Sequence, residues 1–394
     1  MKLRKKIILD NDIIDILKCI HDAGYKAMLV GGCLRDLLIG RSVVDYDIAV
    51  SAQPYEILRL FKSFNRQGEK YGSVSIISNL KKIEITTFRT ESNYKDFRHP
   101  DKVEFVKSAY VDSKRRDFTI NALYYDGEFI YDYHNGMADL NSKLIRTIGN
   151  PDIRFKEDAL RILRMFRFAA QLGFKIEKNT FIAAKENSKL LNYISSQSIT
   201  DEFKSILLST NTDIISNTLN IVFNLDINSL YLNNISLVEC RFTVRLAAAL
   251  LAGGLNVNMS LDFISKLCLT KSEKAEVINI IKCFYSSSKI KRQLYDFSLQ
   301  TVKYVLEIRE KVFNYNIKNQ KNELSNILKN NECYNKSMLA ISGDYLKKKF
   351  DLSGRTIGNC LDAALEYVIE NPDKNTEKDI TKYIEGWIAN EKST

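Results

Sequence analysis

The stretch Leu29-Val-Gly-Gly-Cys-Leu-Arg-Asp-Leu-Leu-Ile-Gly40 decides how the first part of the chain folds. The apolar run 27–30 predicts a short buried strand, and the residues after it predict a tight turn followed by a helix. Glycine allows a ligand to approach the backbone closely, and the N–H groups at the start of a helix attract anions. Gly32 in the turn and Arg35 in the helix therefore predict a phosphate-binding site. An ordinary strand–turn–helix connection also explains the glycine pair when it is considered alone.

Two aspartates follow this helix, in the segment Asp45-Tyr-Asp-Ile-Ala-Val50. Because Asp45 and Asp47 are two residues apart in a predicted strand, we expect both side chains on the same face. Like charges beside a core repel each other unless a cation neutralises them. Mg²⁺ often combines one or two carboxylates with substrate phosphates, and two such ions assist displacement at a phosphate. The pair is therefore a candidate catalytic and metal-binding site, although two surface aspartates on an edge strand would show the same pattern.

Arginines are concentrated in two later segments, Lys114-Arg-Arg-Asp-Phe-Thr-Ile-Asn-Ala122 and Glu157-Asp-Ala-Leu-Arg-Ile-Leu-Arg-Met-Phe-Arg-Phe168. The guanidinium fork matches phosphate oxygens, so both segments are candidate nucleotide contacts. The second segment predicts a helix over 158–172 with a polar residue at every third position. These residues are Asp158, Arg161, Arg164 and Arg167. A solvated helix start and i,i+3 ion pairs are the ordinary explanations for each segment alone.

The predicted strands lie almost entirely before residue 150. Beyond the two described above, they fall at about 72–77 and 82–88, where apolar residues alternate with polar ones. After Asn150-Pro151 the apolar spacing becomes that of helices. We predict an α+β fold. Residues 1–150 would form a domain of helices and strands that contains a small mixed β-sheet. The helical remainder is divided into residues 151–225 and residues 226–394.

Composition narrows the class of partner. The chain of 394 residues carries a formal net charge of +10, which favours a polyanionic partner such as a nucleic acid. Seven scattered cysteines without a C-x-x-C pair and three distant histidines give no pattern for a disulfide framework or a zinc site. The sequence contains no long apolar run of membrane-spanning length. We expect a cytoplasmic protein with no membrane contact and no obligatory protein partner.

In this order, the four segments resemble those of the class II tRNA nucleotidyltransferase and bacterial poly(A) polymerase family. The resemblance is detailed over residues 25–175 and slight beyond. It implies a nucleotidyltransferase head at residues 1–150, a helical neck that recognises the nucleotide base at 151–225, and a helical body and tail that bind tRNA at 226–394. It also implies Mg²⁺ as the cofactor, and CTP, ATP and the 3′ acceptor end of tRNA as partners.

The resemblance also implies roles for residues in the head. Asp45 and Asp47 correspond to the acids that bind the catalytic metal ions. Gly32 and Arg35 correspond to nucleotide contacts in the glycine motif, and Arg116 corresponds to a nucleotide contact in the Arg-Arg-Asp motif.

In the neck, Asp158 and Arg161 correspond to a pair that hydrogen-bonds the incoming base like a protein template. Adenine and cytosine both carry an exocyclic amine that a carboxylate accepts from, so one pair can serve both bases. Arg164 and Arg167 correspond to residues that hold the triphosphate or orient this pair.

In the head, Glu84 is a candidate third acid beside Asp45 and Asp47, although an ordinary surface glutamate explains it nearly as well.

Two stretches favour one branch of the family. Residues 67–75 and 88–101 resemble the strand entry and the flexible loop of the members that add C, C and A to tRNA. These members use CTP and ATP and release pyrophosphate. We therefore expect CCA addition, with poly(A) synthesis and partial CC or A addition as alternatives. The lysine-rich runs 289–292 and 347–349 are candidate contacts for the tRNA phosphate backbone.

Two alternatives come from other classes of protein. A non-catalytic RNA-binding protein would explain the positive charge and the helical second half, but not two aspartates beside a glycine turn. A nucleotidyltransferase that acts on a small molecule would share the head. It would need neither the large basic helical region nor the pair Asp158 and Arg161.

Overall fold

A computed structural model describes residues 1–61, 65, 68–78, 81–225, 227 and 230–391. Two predictions fall partly outside these residues: Gln67, which begins one of the family-like stretches, and the domain boundary at Asp226. The chain forms two compact units, Met1–Ile227 and Asn228–Thr394. The division of the chain into three functional domains stays a prediction.

The strands lie mostly in the first 150 residues, as expected. In chain order they are β1 (Lys2–Arg4), β2 (Ala27–Val30), β3 (Tyr46–Val50), β4 (Ser73–Ser78), β5 (Lys81–Thr87), β6 (Arg89–Ser92), β7 (Lys102–Phe105), β8 (Leu123–Tyr125), β9 (Phe129–Asp132), β10 (Leu144–Ile145) and β11 (Lys175–Ile176). Within the described part of the chain, the main sheet has the order β1-β9-β8-β2-β3-β5-β4. Its pairs are antiparallel except β3 and β5, which are parallel, so the sheet is mixed.

The helices dominate the rest of the chain. They are α1 (Asn11–Asp22), α2 (Gly31–Leu38), α3 (Pro54–Leu60), α4 (Ala109–Ser113), α5 (Gly136–Asn141), α6 (Pro151–Glu157), α7 (Leu160–Leu172), α8 (Lys178–Glu186), α9 (Ser196–Leu207), α10 (Ile215–Phe223), α11 (Phe242–Ala252), α12 (Val257–Ser265), α13 (Lys271–Tyr285), α14 (Ile290–Asp296), α15 (Leu299–Lys311), α16 (Lys318–Lys329), α17 (Gly343–Phe350), α18 (Arg355–Glu370) and α19 (Glu377–Glu391). The predicted α+β class is confirmed.

The centre of the sheet follows from its apolar residues. All four residues of β2 are buried, as a continuous apolar run predicts for a strand covered on both faces. Leu29 of β2 and Ile48 of β3 are paired in register and are fully buried. The helix α2 begins directly at the end of β2, with no connecting residue between them. The beginning of α2 and the beginning of β3 therefore lie at the same end of the sheet.

The helix predicted over 158–172 is interrupted near its start. Residues 151–157 form α6, and α7 begins only at Leu160. Between them, Asp158 has an extended backbone, with φ −137° and ψ 100°. Its Oδ1 accepts a hydrogen bond from the backbone N–H of Leu160 at 3.0 Å. Aspartate favours such local bonds over a helix interior, which explains the break.

The second unit is built from helices. Every residue of α11 is buried, as expected for a helix composed mainly of apolar residues, and Thr243 and Arg245 are its two polar members. A separate core near the end of the chain includes Leu346 of α17, Cys360 of α18 and Ile380 of α19. The three lysines 347–349 at the end of α17 are exposed. No helix in the described ranges is both long and apolar enough to cross a membrane.

Candidate active site

No separate turn precedes the helix: the two glycines Gly31 and Gly32, which we call the glycine turn, are the first residues of α2 and lie against a carboxylate. Gly31 has a left-handed backbone, with φ +77°, and a Cβ atom there would lie 2.9 Å from Oδ2 of Asp47. A side chain at Gly31 would therefore be strained and would also displace this carboxylate. At Gly32, a Cβ would lie 3.5 Å from Nη2 of Arg35. The backbone of the turn is consequently in close contact with both predicted functional groups.

The two predicted catalytic acids lie at the start of β3. Asp47 is within the strand, and Asp45 is in the bend just before it. Both side chains are exposed, whereas Tyr46 and Ile48 are buried. The register of the sheet places Asp47 opposite Glu84 on the parallel strand β5. Residues paired in this way project from the same face, so Glu84 adds a third carboxyl to this face of the sheet.

Asp47 has a perturbed acidity. Part of the Asp47 side chain is accessible to solvent, but many protein atoms surround its carboxyl group and reduce its hydration. This burial, followed by repulsion from Glu84, raises the pKa of Asp47 to about 6, although Arg116 acts in the opposite direction. The backbone at Asp47 is fixed by Cys33 of α2, whose Sγ accepts a hydrogen bond from the Asp47 N–H at 3.3 Å.

Arg116 is oriented by a buried acid. Its Nη2 donates to Oδ2 of Asp112 at 3.1 Å, and its Nε donates to the hydroxyl of Tyr124 at 2.8 Å. Asp112 is fully buried and also accepts from Arg115 Nε at 2.8 Å. Burial alone would raise the pKa of Asp112, but the two arginines hold it at about 2. A charged, buried carboxylate therefore fixes the guanidinium that acts on Asp47.

Arg35 is buried beneath the glycine turn. Its Nε and Nη2 donate to the carboxylate of Asp36 at 2.9 Å and 3.0 Å. Its Nη1 donates to Oδ1 of Asn121 at 2.7 Å, and the guanidinium lies 5.0 Å from the ring centre of Phe168. The predicted arginine is thus beside Gly32, where it is held on several sides.

Asp117 connects this arginine to α7. Its Oδ1 accepts from Nδ2 of Asn121 at 3.2 Å, and its Oδ2 accepts from Nη2 of Arg164 at 2.6 Å. Burial would raise the pKa of Asp117, but Arg164 and further hydrogen bonds lower it to about 2. The chain Arg35–Asn121–Asp117–Arg164 therefore joins the glycine turn to the arginine-rich helix.

Asp158 is paired with an arginine from a distant loop. Its Oδ2 accepts from Nη1 of Arg98 at 2.8 Å. The loop is also fixed by its backbone, because the N–H of Ala159 donates to the carbonyl of Phe97 at 2.9 Å. Burial raises the pKa of Asp158 above its usual value, and the charge of Arg98 opposes this effect.

Arg161 is buried and has several partners other than Asp158. Its Nη1 donates to Glu157 at 2.9 Å and to the carbonyl of Arg154 at 3.0 Å. Its Nη2 donates to the carbonyl of Arg115 at 3.0 Å. Further along α7, Nε of Arg167 lies 2.6 Å from the carboxylate of Glu202.

The predicted residues fall into two groups. In the first group, Asp47 lies against Gly31 and Arg35 lies beside Gly32, while Arg164 is joined to Arg35 through Asn121 and Asp117. Arg116 belongs to this group through its electrostatic effect on Asp47. Asp158 and Arg161 influence one another electrostatically, and each has its own hydrogen-bond partners. No set of three histidine, cysteine or acidic side chains within the described ranges is arranged to hold a metal ion.

Sequence reasoning did not single out several residues that orient the site. Asp112, Asp117 and Asn121 orient arginines of the site, Arg98 pairs with Asp158, and Glu202 pairs with Arg167. Asp117 and Asn121 are part of the quoted arginine segment, and Arg98 is part of the quoted loop. The position of Asp117, Asn121 and Arg98 within these segments was the sequence feature that could have identified them.

Two family models match the chain. Residues 27–146 match the poly A polymerase head domain, and residues 244–384 match the putative domain 2 of tRNA nucleotidyltransferase.

Curated relatives match about half of the chain. A CCA-adding enzyme of Ligilactobacillus salivarius is 48% identical over 199 residues, which are 50% of this chain and 49% of the relative. A CCA-adding enzyme of Limosilactobacillus reuteri is 45% identical over 213 residues, covering 54% of this chain and 53% of the relative. The chain thus spans about half the length of the curated relatives it matches.

Solved structures match almost the whole chain. The CCA-adding enzyme of Bacillus stearothermophilus in complex with CTP has a TM-score of 0.78 and 26% identity, covering 97% of this chain and 98% of that one. The Thermotoga maritima CCA-adding enzyme complexed with tRNA-CCA has a TM-score of 0.66 and 20% identity, covering 96% of each chain. The second likeness concerns the fold alone.

Proposed function

Because the chain belongs to the family of class II tRNA nucleotidyltransferases and bacterial poly(A) polymerases, we propose that it adds C, C and A to the 3′ end of tRNA. The reaction would use CTP and ATP, release pyrophosphate and need no nucleic-acid template. The observation that carries this proposal is the position of Asp47 against Gly31, with Asp45 just before it and Glu84 opposite it.

The proposed metal is Mg²⁺, held by Asp45 and Asp47. Mg²⁺ commonly takes only one or two protein carboxylates and completes its shell with water and phosphate oxygens. The side chains of Asp45 and Asp47 are both exposed, and Gly31 has no side chain that would crowd the carboxylate oxygen of Asp47. The two carboxylates therefore fit this requirement. When bound, the ion would favour attack of the RNA 3′-hydroxyl on the α-phosphate and stabilise the charge that develops there.

The triphosphate would lie over the glycine turn. Gly32 allows close approach of the phosphates to the first N–H groups of α2. Arg116 supplies a guanidinium whose direction is fixed by Asp112 and Tyr124. Arg35 places a buried positive charge directly beside Gly32. We assign these three residues to nucleotide binding.

The base would be recognised where α6 meets α7. In this proposal, the carboxylate of Asp158 accepts from the exocyclic amine, and Arg161 donates to a ring nitrogen or carbonyl oxygen. Guanine and uracil would leave these groups unpaired, which costs about 1–3 kcal/mol for a buried polar group. Arg164 and Arg167, held by Asp117 and Glu202, would support the triphosphate or this pair.

The proposed domain roles follow the same division as before. Residues 1–150 would carry out transfer, residues 151–225 would recognise the base, and residues 226–394 would bind tRNA. The exposed lysines 347–349 supply positive charge for the RNA backbone. We further propose that the protein acts in the cytoplasm.

Poly(A) synthesis is the second candidate, because the model that matches residues 27–146 is that of a poly A polymerase head domain. Labelled CTP or ATP, offered one at a time with Mg²⁺, distinguishes the candidates. The tRNA substrates are one that lacks all three terminal nucleotides and one that ends in CC. We expect CTP incorporation only into the first and a single A only on the second. Addition of many A residues to either substrate would instead support the polymerase, and incorporation of CTP alone or ATP alone would support a partial activity.

A further inference from the structure

Asp112 of α4 is a buried acid, and each of its two carboxylate oxygens accepts two hydrogen bonds. The residue is inaccessible to solvent. Its Oδ1 accepts from the backbone N–H of Arg89 at 3.1 Å and from Nε of Arg115 at 2.8 Å. Its Oδ2 accepts from the hydroxyl of Tyr124 at 2.6 Å and from Nη2 of Arg116 at 3.1 Å. Donors from β6, from β8 and from the segment after α4 therefore fix this carboxylate in place.

Tyr124, one of these donors, lies close to the candidate metal ligand in the sheet. Val30 of β2 is paired with Tyr124 of β8, and Leu29 beside it is paired with Ile48 of β3. Asp47, which precedes Ile48, therefore lies at the same level as Tyr124 on the other side of β2. Two strand spacings separate their backbones by about 10 Å.

The side chains of Asp47 and Tyr124 project from the same face of the sheet. Ala49 and Tyr124 belong to one apolar cluster, which also contains Ala109, the first residue of α4. Because side chains alternate along a strand, Asp47 shares the face of Ala49, two residues further on. The helix α4 and Arg116, which donates to the Tyr124 hydroxyl, therefore lie on the side from which Asp47 projects.

Arg116 lies near Asp47, but its hydrogen bonds are made elsewhere. Its charge acts on Asp47, where it opposes the burial that raises the pKa of this carboxyl. Its Nη2 and Nε nevertheless donate to Asp112 and to the Tyr124 hydroxyl, and its guanidinium lies 5.1 Å from the ring centre of Tyr124. Opposite charges attract strongly where water is largely excluded. A guanidinium released from these partners would therefore pair with the carboxylate of Asp47.

An ion pair between Arg116 and Asp47 would obstruct the candidate metal site. A guanidinium commonly binds a carboxylate through two parallel N–H···O bonds, which occupy both oxygens. Mg²⁺ contacts its carboxylate oxygens directly, at about 2.0–2.1 Å. The arginine would have to leave before the ion could bind. The acid that holds Arg116 therefore decides whether Asp47 is available to a metal ion.

We propose that Asp112 is a positioning residue that keeps Arg116 from pairing with Asp47 and so leaves this carboxylate free to bind Mg²⁺. The proposal rests on the metal-binding role that the proposed function gives to Asp47. Asp112 offers the guanidinium a fixed anionic partner, so Arg116 stays charged and close to the metal site without entering it. Its Nη1, for which the described part of the chain shows no hydrogen-bond partner, remains available to a nucleotide phosphate.

The first test measures Mn²⁺ binding without nucleotide, from the fall in the electron paramagnetic resonance signal of the free ion. Only binding that Asp47→Asn abolishes is counted, and the lack of any such binding in the wild type would overturn the proposal. Asp112→Asn keeps the shape of the side chain but removes its charge. We expect it to bind Mn²⁺ at least about tenfold more weakly, because a hydrogen bond between charged groups must first be broken.

The double variant D112N/R116M separates positioning from a merely structural role. It lacks the competing guanidinium, so we expect it to bind Mn²⁺ at least as tightly as the wild type. A merely structural defect at Asp112 would persist when Arg116 is also replaced. Equal losses of Mn²⁺ affinity in the single and double variants would therefore contradict the proposal.

Asp139→Asn is the matched control for Asp112→Asn. Asp139 is another buried acid of the head, and it accepts from Oγ1 of Thr119 at 2.7 Å and from Nε of Arg146 at 3.2 Å. We expect this variant to lose stability in denaturant unfolding and to keep the Mn²⁺ affinity of the wild type. A loss of affinity equal to that of Asp112→Asn would mean that destabilisation alone explains the effect.

Tyr124→Phe tests the same idea with a milder change, should Asp112→Asn fail to fold. It removes the hydroxyl that accepts from Nε of Arg116 and keeps the ring. We expect Mn²⁺ affinity to fall by about threefold or more, and to return to the wild-type value in Y124F/R116M. An unchanged affinity in the single variant, or a loss that remains in the double variant, would count against the proposal.

A crystal structure of metal-free Asp112→Asn locates the guanidinium directly. We expect Arg116 to donate to the carboxylate of Asp47 in that structure. A guanidinium that remains on the Tyr124 hydroxyl would refute the proposal. Because none of these tests uses a nucleotide, failure of the proposed function would be seen separately, as absence of nucleotide transfer by the wild type.

Discussion

Asp47 on β3 and Glu84 on β5 face each other across neighbouring parallel strands. Burial of the Asp47 carboxyl by surrounding protein atoms, followed by repulsion from Glu84, raises the pKa of Asp47 to about 6. The same carboxylate lies against Gly31, the first residue of α2. The fold therefore places negative charge where a bound cation would relieve repulsion.

The raised pKa predicts how stability depends on pH without metal. A carboxyl with a raised pKa binds more protons in the folded state than in the unfolded one. The folded state is therefore penalised as the pH rises from about 4, the ordinary aspartate value, to about 6. Asp47→Asn should consequently be more stable than the wild type at pH 7 in EDTA, with the advantage fading near pH 4. Denaturant unfolding at both pH values measures this.

Mg²⁺ provides the control for this prediction. Because a ligand that binds only the folded state stabilises it, Mg²⁺ should stabilise the wild type at pH 7 but not Asp47→Asn. A stability difference that is the same at pH 4 and pH 7 would contradict the role assigned to the Asp47 carboxyl.

Gly31→Ala should damage transfer far more than stability. Its left-handed backbone costs a residue with a Cβ about 1–2 kcal/mol. The new methyl would also push the Asp47 carboxylate away, and a misplacement of about 1 Å can cost about 100-fold in rate. We expect kcat/KM for CTP to fall by about 100-fold or more.

Gly40→Ala is the matched control, since Gly40 has a similar φ of +74° and open space around it. This variant should lose comparable stability in denaturant unfolding and keep its rate. Similar rates in the two variants would mean that contact with Asp47 is unimportant.

Asp158→Ala should impair the choice of nucleotide more than the stability of the fold. Without the carboxylate, the amine of cytosine or adenine loses its acceptor, so discrimination against UTP and GTP should fall by about tenfold. Competition between labelled nucleotides measures this ratio. Arg98→Ala breaks the same ion pair but leaves the carboxylate, and we expect it to retain discrimination. Unchanged preference in Asp158→Ala would rule out its role in base recognition.

Asp117→Asn should remove an acid-sensitive contribution to stability. The carboxyl is buried, and Arg164 helps to hold its pKa at about 2. A pKa lowered from about 3.9 to about 2 corresponds to about 2–3 kcal/mol that is present above pH 4 and lost between pH 4 and pH 2. The difference in unfolding free energy between wild type and variant should shrink over that range. A constant difference would show that the ion pair is not its source.

The strands and helix around the glycine turn were predictable because local features specify them. The buried run of β2 and the glycines that follow it are contained in a few consecutive residues. The pairing of Glu84 with Asp47 was not predictable in this way, because strand register depends on partners that are distant in sequence. The short strands β8 and β9 were missed because three or four residues are too few to show a strand pattern in the sequence.

The orientation of the arginines also depends on distant residues. The helical spacing on α7 correctly groups Arg161, Arg164 and Arg167, but it gives no information about their partners. Asp117 is 47 residues from Arg164, and Arg98 is 60 residues from Asp158. The sequence thus indicates which side chains belong to the candidate site, whereas the fold determines which of them are in contact.

Sequencing the 3′ ends of a tRNA that lacks its terminal CCA tests the central claim most directly. The tRNA is incubated with CTP, ATP, Mg²⁺ and either the wild type, Asp45→Ala or Asp47→Ala, after folding and tRNA binding of each protein have been verified. We predict addition of C, C and A followed by a stop with the wild type, and unextended ends with both variants. Long A tracts, or extension by either folded variant at the wild-type rate, would contradict the account.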